Sequence, residues 1–355
     1  MPEAMTVSAE RVRRQITAVL LAWGMAQDLT ETTAEVMVET DLMGVDSHGI
    51  SMLMLYERMR TAGQLRLQAR PRVVRDAACT ALVDGGAGLG HPVAVMAMNL
   101  AVDKALAGGL GAVGVFNSHH FGAAGHYARL ATDRGVLGMV ASSARTVVMV
   151  PTRGAAPVLG TNPLAFAAPA RRNRPFVLDM ATTTVAANKV KVYDLNRRPL
   201  PEGWVADERG GSVTDAALAM DYLFKRPEGG LTPLGGTPEM GSHKGYGLAV
   251  IVDILAGVLS GTGPGFLHGR DTSHHFTAWR IDAFRDLDGF KDDMDALLRG
   301  LRTCPPAPGA ERVLYAGLAE SETLADRRAN GIPYHPDVID WFRTTCRERG
   351  VSTDL

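Results

Sequence analysis

The sequence predicts an α/β protein with helical segments at both ends of the chain and without the dinucleotide-binding loop of a Rossmann fold. Three observations lead to this prediction. Apolar residues recur at helical spacing near both ends, strand-like and helix-like runs alternate between them, and the one GxGxxG string lies in the wrong context. The 355 residues are 46% hydrophobic and 21% charged, which is typical of a folded globular protein of two or three domains or one large folding unit.

The chain begins with a helical region. Two helices are predicted within residues 8–43, with a break near residues 28–30, and a third helix over residues 51–62. The loop 44–49 between them is short, polar and bracketed by glycines, which favours the end of one helix and the start of the next. We therefore expect an exposed corner that carries His48.

The periodicity changes from residue 71 onward, where strands and helices alternate. Strands are predicted over 79–84, 112–116, 138–142, 165–168 and 175–179, and helices over 93–107, 246–259, 321–330 and 336–348. A region rich in proline and glycine extends to residue 236. We find no internal repeat.

The string of residues 109–114 matches GxGxxG, but a helix precedes it and a strand follows it. A pyrophosphate-binding loop needs the reverse order, because the phosphate must meet the N-terminus of the following helix. The glycines therefore predict a helix C-cap and a tight turn. The glycine run 85–90 lacks the spacing and predicts a turn as well.

Charge and cysteine content exclude several classes of partner. The chain has 37 Lys+Arg and 38 Asp+Glu, a net charge of −1, so no nucleic-acid partner is expected. No apolar run reaches the ~20 residues of a membrane span, and no secretory signal is visible, so we expect a cytoplasmic protein. The three cysteines are far apart and predict free thiols without a zinc site.

Two histidine pairs were considered as sites. Adjacent residues on a strand point to opposite faces, so neither His119–His120 nor His274–His275 can chelate one metal ion by itself, and no metal is predicted. For His274 and His275 we expect a polar strand edge or an interface contact. His119 and His120 follow a strand beside a glycine-rich turn, where a site and a structural role are equally expected.

His48 is the first candidate for chemistry. An imidazole with an ordinary pKa near ~6.5 exchanges protons at neutral pH, and the neighbouring Ser47 is positioned to orient the ring. The alternative from this loop alone is that Ser47 and Gly49 cap helices and His48 is simply solvated.

Seven segments in the same order carry a resemblance to one family. They are 46–49 (DSHG), 117–125 (NSHHFGAAG), 159–166 (LGTNPLAF), 178–182 (LDMAT), 201–204 (PEGW), 233–236 (PLGG) and 244–248 (KGYGL). Together they resemble the malate/L-lactate dehydrogenase family of non-Rossmann oxidoreductases over nearly the whole chain.

The resemblance implies hydride transfer between NAD or NADP and a carbon that bears an alcohol, a carbonyl or an imine, usually beside a carboxylate, in a small-molecule substrate. It implies a family-specific α/β domain, residues 75–307, and a helical domain built from both chain ends, residues 1–74 and 308–355. It also implies a homodimer with the active site near the subunit boundary.

The resemblance further implies roles for single residues. His48 matches the histidine that gives or takes the proton, Ser47 its neighbour, and His120 a histidine treated as the acid or base in some members, so the two histidines compete for one role. The residues that match cofactor contacts are Ser143, Asp179, Met180, Ala181, Lys244, Gly317, Leu318 and Ala319. Asp179 is left open between a cofactor contact and a group that orients a histidine.

The chain departs from the family pattern at three positions. Met43 and Met52 stand where the family commonly has arginines, and Ala316 replaces the proline of a Pro-Gly turn. Because arginine binds a carboxylate through two parallel bonds and methionine offers apolar contact only, the usual carboxylate anchor is missing. Either the substrate is larger or less acidic than lactate or malate, or another cation such as Arg58 or Arg145 holds it.

Two alternatives remain at this point. The same hydride and proton transfers serve a cyclic or N-alkylated imino acid as well as a carbonyl. From another class, a non-catalytic homologue that keeps the fold but has lost substrate binding would also explain the two methionines.

The sequence does not decide between NAD and NADP. Arg145 is a candidate for a 2′-phosphate contact or an ordinary surface arginine.

Overall fold

The computed structural model describes residues 5–144, 146–267, 271–353 and 355. Its helices are α1 Ala9–Ala22, α2 Gln27–Leu42, α3 Leu53–Thr61, α4 Gly90–Gly108, α5 Ala124–Thr132, α6 Ala187–Leu195, α7 Ala216–Phe224, α8 Ser242–Val252, α9 Leu287–Arg302, α10 Leu318–Asn330 and α11 Pro336–Arg349. A 3₁₀ turn, Ile50–Met52, precedes α3, and a π-helical turn, Asp253–Val258, extends α8.

The strands are β1 Met5–Val7, β2 Arg72–Asp76, β3 Thr80–Asp84, β4 Leu110–Ser118, β5 Val136–Ser143, β6 Leu164–Ala168, β7 Phe176–Met180, β8 Val205–Ala206, β9 Gly230–Leu231, β10 Thr272–Arg280 and β11 Ile332–Tyr334. Seven of them form one sheet in the order β2-β3-β4-β10-β5-β6-β7. Only β3 and β4 pair in parallel; the other neighbours are antiparallel. This mixed sheet confirms the prediction of an α/β fold that is not a Rossmann fold.

Side chains alternate between the two faces of this sheet. Residues that point toward α4 and α5, such as Val113, Val140 and Phe276, are fully buried with the apolar faces of those helices. Their neighbours on the other face, such as Met139 and Phe166, are half-buried. Since a strand alternates its side chains, the sheet has one covered face and one face that the chain covers only in part.

A second core joins the two chain ends. It contains α1 and α2 residues such as Ile16 and Met37 together with Ile332 and Phe342 from the C-terminal segment. β1 pairs antiparallel with β11, which fixes the first described residues against the end of the chain. A third, smaller core lies around α6, α7, β8 and β9.

The glycines of residues 109–114 behave as predicted. Gly109 ends α4 with a φ of +89°, a left-handed conformation that suits glycine, and β4 begins at the next residue. Gly111 lies so close to α4 that a Cβ there would be 1.9 Å from the Ala101 carbonyl oxygen. These glycines therefore let a helix turn back tightly onto its strand and do not cradle a phosphate.

Two local predictions are wrong. The break between the first helices lies at residues 23–26, where Gly24 has a φ of +86°, and Thr30 is buried inside α2 rather than at its start. The second concerns the pair His274–His275, for which the sequence predicts a polar strand edge or an interface contact. β10 is the central strand, and His274 is fully buried between Ser142 and Ser118.

Candidate active site

The loop between α2 and the 3₁₀ turn presents Ser47 and His48, as predicted. The Ser47 hydroxyl lies 2.8 Å from Nδ1 of His48, and the imidazole is half-buried. Burial lowers the pKa of His48 below its usual value. The ring faces His120 with ring centroids 5.4 Å apart, so His48 is not simply a solvated loop residue.

His119 and His120 follow β4 and point in different directions. His119 is buried, and its Nε2 lies 2.8 Å from the carbonyl oxygen of Gln64. His120 is half-buried and turns toward His48. The structure therefore gives the first histidine of the pair a structural environment and brings the second into the candidate site.

The bonds to His120 define its tautomer. Its Nδ1 lies 2.8 Å from the hydroxyl of Tyr56 on α3 and 3.3 Å from the backbone nitrogen of Gly122. A backbone N–H can only donate, and burial raises the pKa of Tyr56, which keeps its proton. Both groups therefore donate to Nδ1, and the neutral ring carries its own proton on Nε2.

Burial also keeps His120 neutral. Burial lowers its pKa well below the usual value, and the neighbouring His48, His91 and His274 lower it further. His91, at the start of α4, packs edge-on against the Tyr56 ring at 5.7 Å. It is fully buried, neither ring nitrogen has a hydrogen-bond partner among the described residues, and burial lowers its pKa to about 3. His120 and the aromatic side chains packed beside it, Tyr56 and His91, are therefore uncharged.

Asp179 lies on β7, beside the segment that follows His120. Its carboxylate is exposed and accepts a bond of 2.6 Å from the backbone nitrogen of Gly125, in the first turn of α5. The surrounding protein raises its pKa to about 6, the Gly125 bond opposes that shift, and Glu320 adds to it. Asp179 is therefore an accessible carboxyl group beside the start of α5.

The turn that contains Gly317, Leu318 and Ala319 lies against the same strand. The backbone nitrogen of Val177 donates to the carbonyl oxygen of Ala316 at 3.0 Å. Gly317 has a φ of +91°, and a Cβ there would be 2.9 Å from Val177. Leu318 and Ala319 open α10. The turn thus reaches β7 although alanine replaces the family's proline.

Another set of contacts brings Lys244 toward the residues after Asp179. The backbone nitrogen of Leu234 donates to the Thr182 carbonyl oxygen at 2.8 Å. Gly245 packs on Leu234 so closely that a Cβ would be 2.4 Å from the Leu234 backbone. Lys244 is exposed in the first turn of α8, and it has no ion pair within the described ranges. Three distant motifs therefore meet around Thr182.

Asp179, Met180, Ala181, Lys244 and Gly317 fit a nicotinamide dinucleotide. Asp179 offers an accessible carboxylate for a hydroxyl or amide and Lys244 an accessible cation for phosphate, while Gly317 lets the turn before α10 pack against β7. Ser143 does not join them: it is buried, and its hydroxyl donates to Asp253 at 2.5 Å.

The two methionines at the family's arginine positions flank the loop 44–49 that carries His48. Met52 lies one helical turn before Tyr56 and is half-buried against the helical core, and Met43 follows the last turn of α2. Arg58 is exposed two residues after Tyr56, on the other side of α3. Arg145 lies outside the described residues.

Two negative findings concern the described part of the chain only. It contains no cluster of three or more His, Cys, Asp or Glu side chains arranged to hold a metal ion, and no helix long and apolar enough to cross a membrane. A separate cavity of 260 Å³ lies between residues 150–155 and 206–212 and is lined by none of the predicted site residues.

Sequence reasoning missed Tyr56, His91 and Asp41. Tyr56 lies on α3, where its hydroxyl meets His120, and a tyrosine inside a helix has no distinctive sequence pattern. His91 directly follows the glycine run 85–90. Asp41 is buried in the last turn of α2, where burial raises its pKa to about 7 against the hydrogen bonds from Ile50 and Tyr334.

The chain is similar to known proteins over nearly its whole length. The family profile described as malate/L-lactate dehydrogenase matches residues 7–343. The chain is 36% identical to a malate dehydrogenase of Pyrococcus abyssi over 95% of this chain and 92% of the relative. The crystal structure of malate dehydrogenase from Entamoeba histolytica superposes with a TM-score of 0.93 at 30% identity and covers 99% of both chains. That of Δ1-piperideine-2-carboxylate reductase from Pseudomonas syringae superposes with a TM-score of 0.80 at 25% identity, over 96% of this chain and 99% of that one.

Proposed function

The chain belongs to the malate/L-lactate dehydrogenase family and is an oxidoreductase of hydroxy acids, and we propose that it moves hydride between NAD or NADP and the carbinol or carbonyl carbon of a small 2-hydroxy or 2-oxo acid. One observation carries the proposal: the imidazoles of His48 and His120, whose pKa values burial lowers, face each other with ring centroids 5.4 Å apart. When bound, the nicotinamide supplies or takes up the hydride.

The two histidines divide the remaining work. His120 carries its proton on Nε2, because Tyr56 and Gly122 occupy Nδ1, so it donates a hydrogen bond to the substrate oxygen. His48 is neutral at pH 7 and takes the proton of the hydroxyl during oxidation or returns it during reduction. Ser47 holds the other nitrogen of the His48 ring. Under this proposal the two histidines have separate roles and no longer compete for one.

The cofactor lies along Asp179, Met180, Ala181, the turn of Gly317, Leu318 and Ala319, and Lys244. Asp179 accepts a bond from Gly125 and none from a described histidine ring, which favours a cofactor contact over an orienting role. Lys244 pairs with a phosphate. Ser143 supports the strand end through Asp253 and takes no direct part.

Matched variants test the division of roles. His48→Gln removes the titrating group, and we expect kcat/KM to fall about 10²–10⁴-fold. In oxidation, the wild-type rate should fall as the pH drops through the lowered pKa of His48, and this acid limb should vanish in the variant. His120→Gln retains a donor near Nε2, so it should keep the limb and lose less activity. The reverse pattern would assign proton exchange to His120.

The missing arginines point to atypical anchoring of the acid: either the substrate is larger or less acidic than lactate or malate, or another cation holds its carboxylate. Met52→Arg restores a bidentate anchor one turn from Tyr56, and we expect the preference for a 2-oxo acid over its ester to rise about 10- to 100-fold. Met54→Arg is the matched control, since residue 54 points away from Tyr56 around the helix. An unchanged preference in Met52→Arg would contradict this reading of the methionines.

A second candidate function is reduction of a cyclic or N-alkylated imino acid. The likeness to the piperideine-carboxylate reductase and the apolar methionines favour it. A panel of 2-oxo acids, their esters and cyclic imines, read at 340 nm with NADH and NADPH separately, separates the two functions and determines the cofactor. We further propose a homodimer in the cytoplasm.

A further inference from the structure

The loop that carries His48 has few bonds of its own. The backbone nitrogen of His48 donates to Val45 at 2.9 Å, and the Ser51 hydroxyl donates to the Asp46 carbonyl oxygen at 2.7 Å. Ser47 and Asp46 are exposed. Proton exchange requires a ring held to within a fraction of an ångström, so other parts of the chain must fix this loop.

The buried side chain of Asp41 packs against the C-terminal end of this loop. One carboxylate oxygen accepts two bonds, from the backbone nitrogen of Ile50 at 3.0 Å and from the hydroxyl of Tyr334 on β11 at 2.7 Å. The other oxygen lies under Gly49, where a Cβ would be 1.7 Å away. Gly49, the residue after His48, therefore packs directly against the carboxyl group of Asp41, which the hydrogen bond from Tyr334 holds in place.

Arg327 on α10 binds both the loop and the last turn of α2. Its guanidinium donates to the carbonyl oxygen of Asp41 at 2.6 Å and forms a two-pronged ion pair with Asp46, one prong at 3.1 Å. A single planar group thus ties the last turn of α2 to the residue before Ser47. Arginine suits this contact because its fork matches a carboxylate.

We propose that Asp41, Arg327 and Tyr334 are positioning residues for His48, so that the C-terminal segment 327–334 sets the efficiency of proton exchange although it lies outside the predicted site. This inference rests on the proposed role of His48. Among the described residues, none of the three side chains bonds to Asp179 or Lys244, so their effect is expected on kcat and not on cofactor affinity.

The test uses Arg327→Met and Tyr334→Phe in the full chain. We expect kcat to fall about 10- to 100-fold in each, because a displacement of about 1 Å costs that much. The dissociation constants of NADH and NADPH, measured by fluorescence, should not change. The imidazole pKa of His48, measured by ¹H–¹³C NMR, should shift. Arg327→Lys keeps one donor and should recover part of kcat.

Arg328→Met is the matched control. Arg328 is the next residue on α10, but it pairs with Glu39 and does not touch the loop, so both kcat and the His48 titration should stay at the wild-type level. Folded Arg327→Met and Tyr334→Phe proteins with wild-type kcat would overturn the proposal, as would a loss of kcat without a change in the His48 titration. A fully active His48→Gln would instead remove the proposed function, and with it the premise.

Discussion

Single hydrogen bonds determine what each histidine can do. His48 and His120 are the same residue type in neighbouring positions, yet one is bonded by an exposed serine and the other by a buried phenol and a backbone N–H. A phenol that cannot ionise and an amide that can only donate leave His120 as a donor at Nε2. The difference in role therefore originates in the partners and not in the imidazoles.

Tyr56→Phe tests this at the scale of one atom. The change removes the main donor to Nδ1 of His120 and leaves the longer bond from Gly122. We expect kcat to fall about 10- to 100-fold and the ¹⁵N NMR signals of His120 to show a mixture of tautomers, since a hydrogen bond to a functional group is lost.

Tyr127→Phe is the control for this change. Tyr127 is also fully buried, but its hydroxyl donates to the Phe121 carbonyl oxygen. Its loss should lower the free energy of unfolding and leave the His120 tautomer intact. A single His120 tautomer in Tyr56→Phe would show that Gly122 alone fixes the ring.

Elements whose signal is local could be predicted from the sequence, and elements that depend on distant partners could not. The helix Gly90–Gly108 and the strand Val136–Ser143 could be predicted, because each has an apolar periodicity within a few turns or pleats. β10 was not predicted, because its place between β4 and β5 depends on pairing with strands more than 100 residues earlier. The region before residue 236 likewise contains α6 and α7, which glycine and proline content concealed.

The same distinction applies to the site. The segments with Ser47, His48, His120 and Asp179 were visible as motifs. Asp41 and Tyr56 were not, because an acid or a tyrosine inside a helix has no distinctive pattern until the fold brings Tyr334 or His120 to it. The sequence motifs therefore identify accessible and half-buried groups, and they do not identify the buried groups that orient them.

Glu39 on α2 contacts side chains of α5 and α10, and its pKa predicts how the stability of the fold depends on pH. From α2 it pairs with Arg129 on α5 at 2.5 Å and with Arg328 on α10 at 3.5 Å, and it lies 3.2 Å from Nδ1 of His126. Burial raises its pKa, but the bond from His126 and the two arginine charges outweigh burial and lower it to about 2.

The sign of the pH dependence follows. A carboxyl whose pKa is lower in the folded than in the unfolded chain stabilises the fold above about pH 4.5, and this stabilisation is lost as the pH falls toward 2. Glu39→Gln should therefore lower the free energy of unfolding by about 1–3 kcal/mol at pH 7, measured by urea denaturation. The difference should shrink from pH 4.5 downward. Glu35→Gln, an exposed change on α2, should have little effect; equal losses in both would contradict the assignment.

The whole molecule has an apolar surface that a single chain does not cover. The partly covered face of the sheet carries half-buried residues such as Phe116, Met139 and Phe166 where a solvent-facing sheet would carry polar ones. Beside it, the outer side of α8 and its π-helical turn exposes a stripe of Ile251, Ile254 and Val258, each about half exposed. Contiguous apolar patches of this kind mark interaction surfaces.

We expect this surface to be the interface of the proposed homodimer, and the stripe allows a direct test. Ile254→Glu combined with Val258→Glu places two charges where the partner would bury apolar area, so the variant should sediment as a monomer of 37.8 kDa while the wild type sediments at twice that mass. Leu195→Glu, at a residue 72% exposed on α6, adds a charge outside the stripe and should leave the dimer intact. A dimeric double variant would place the interface elsewhere, and a monomeric wild type would remove the dimer. Lost turnover in the monomer, with His48 still titrating as in the wild type, would show that the partner completes the site.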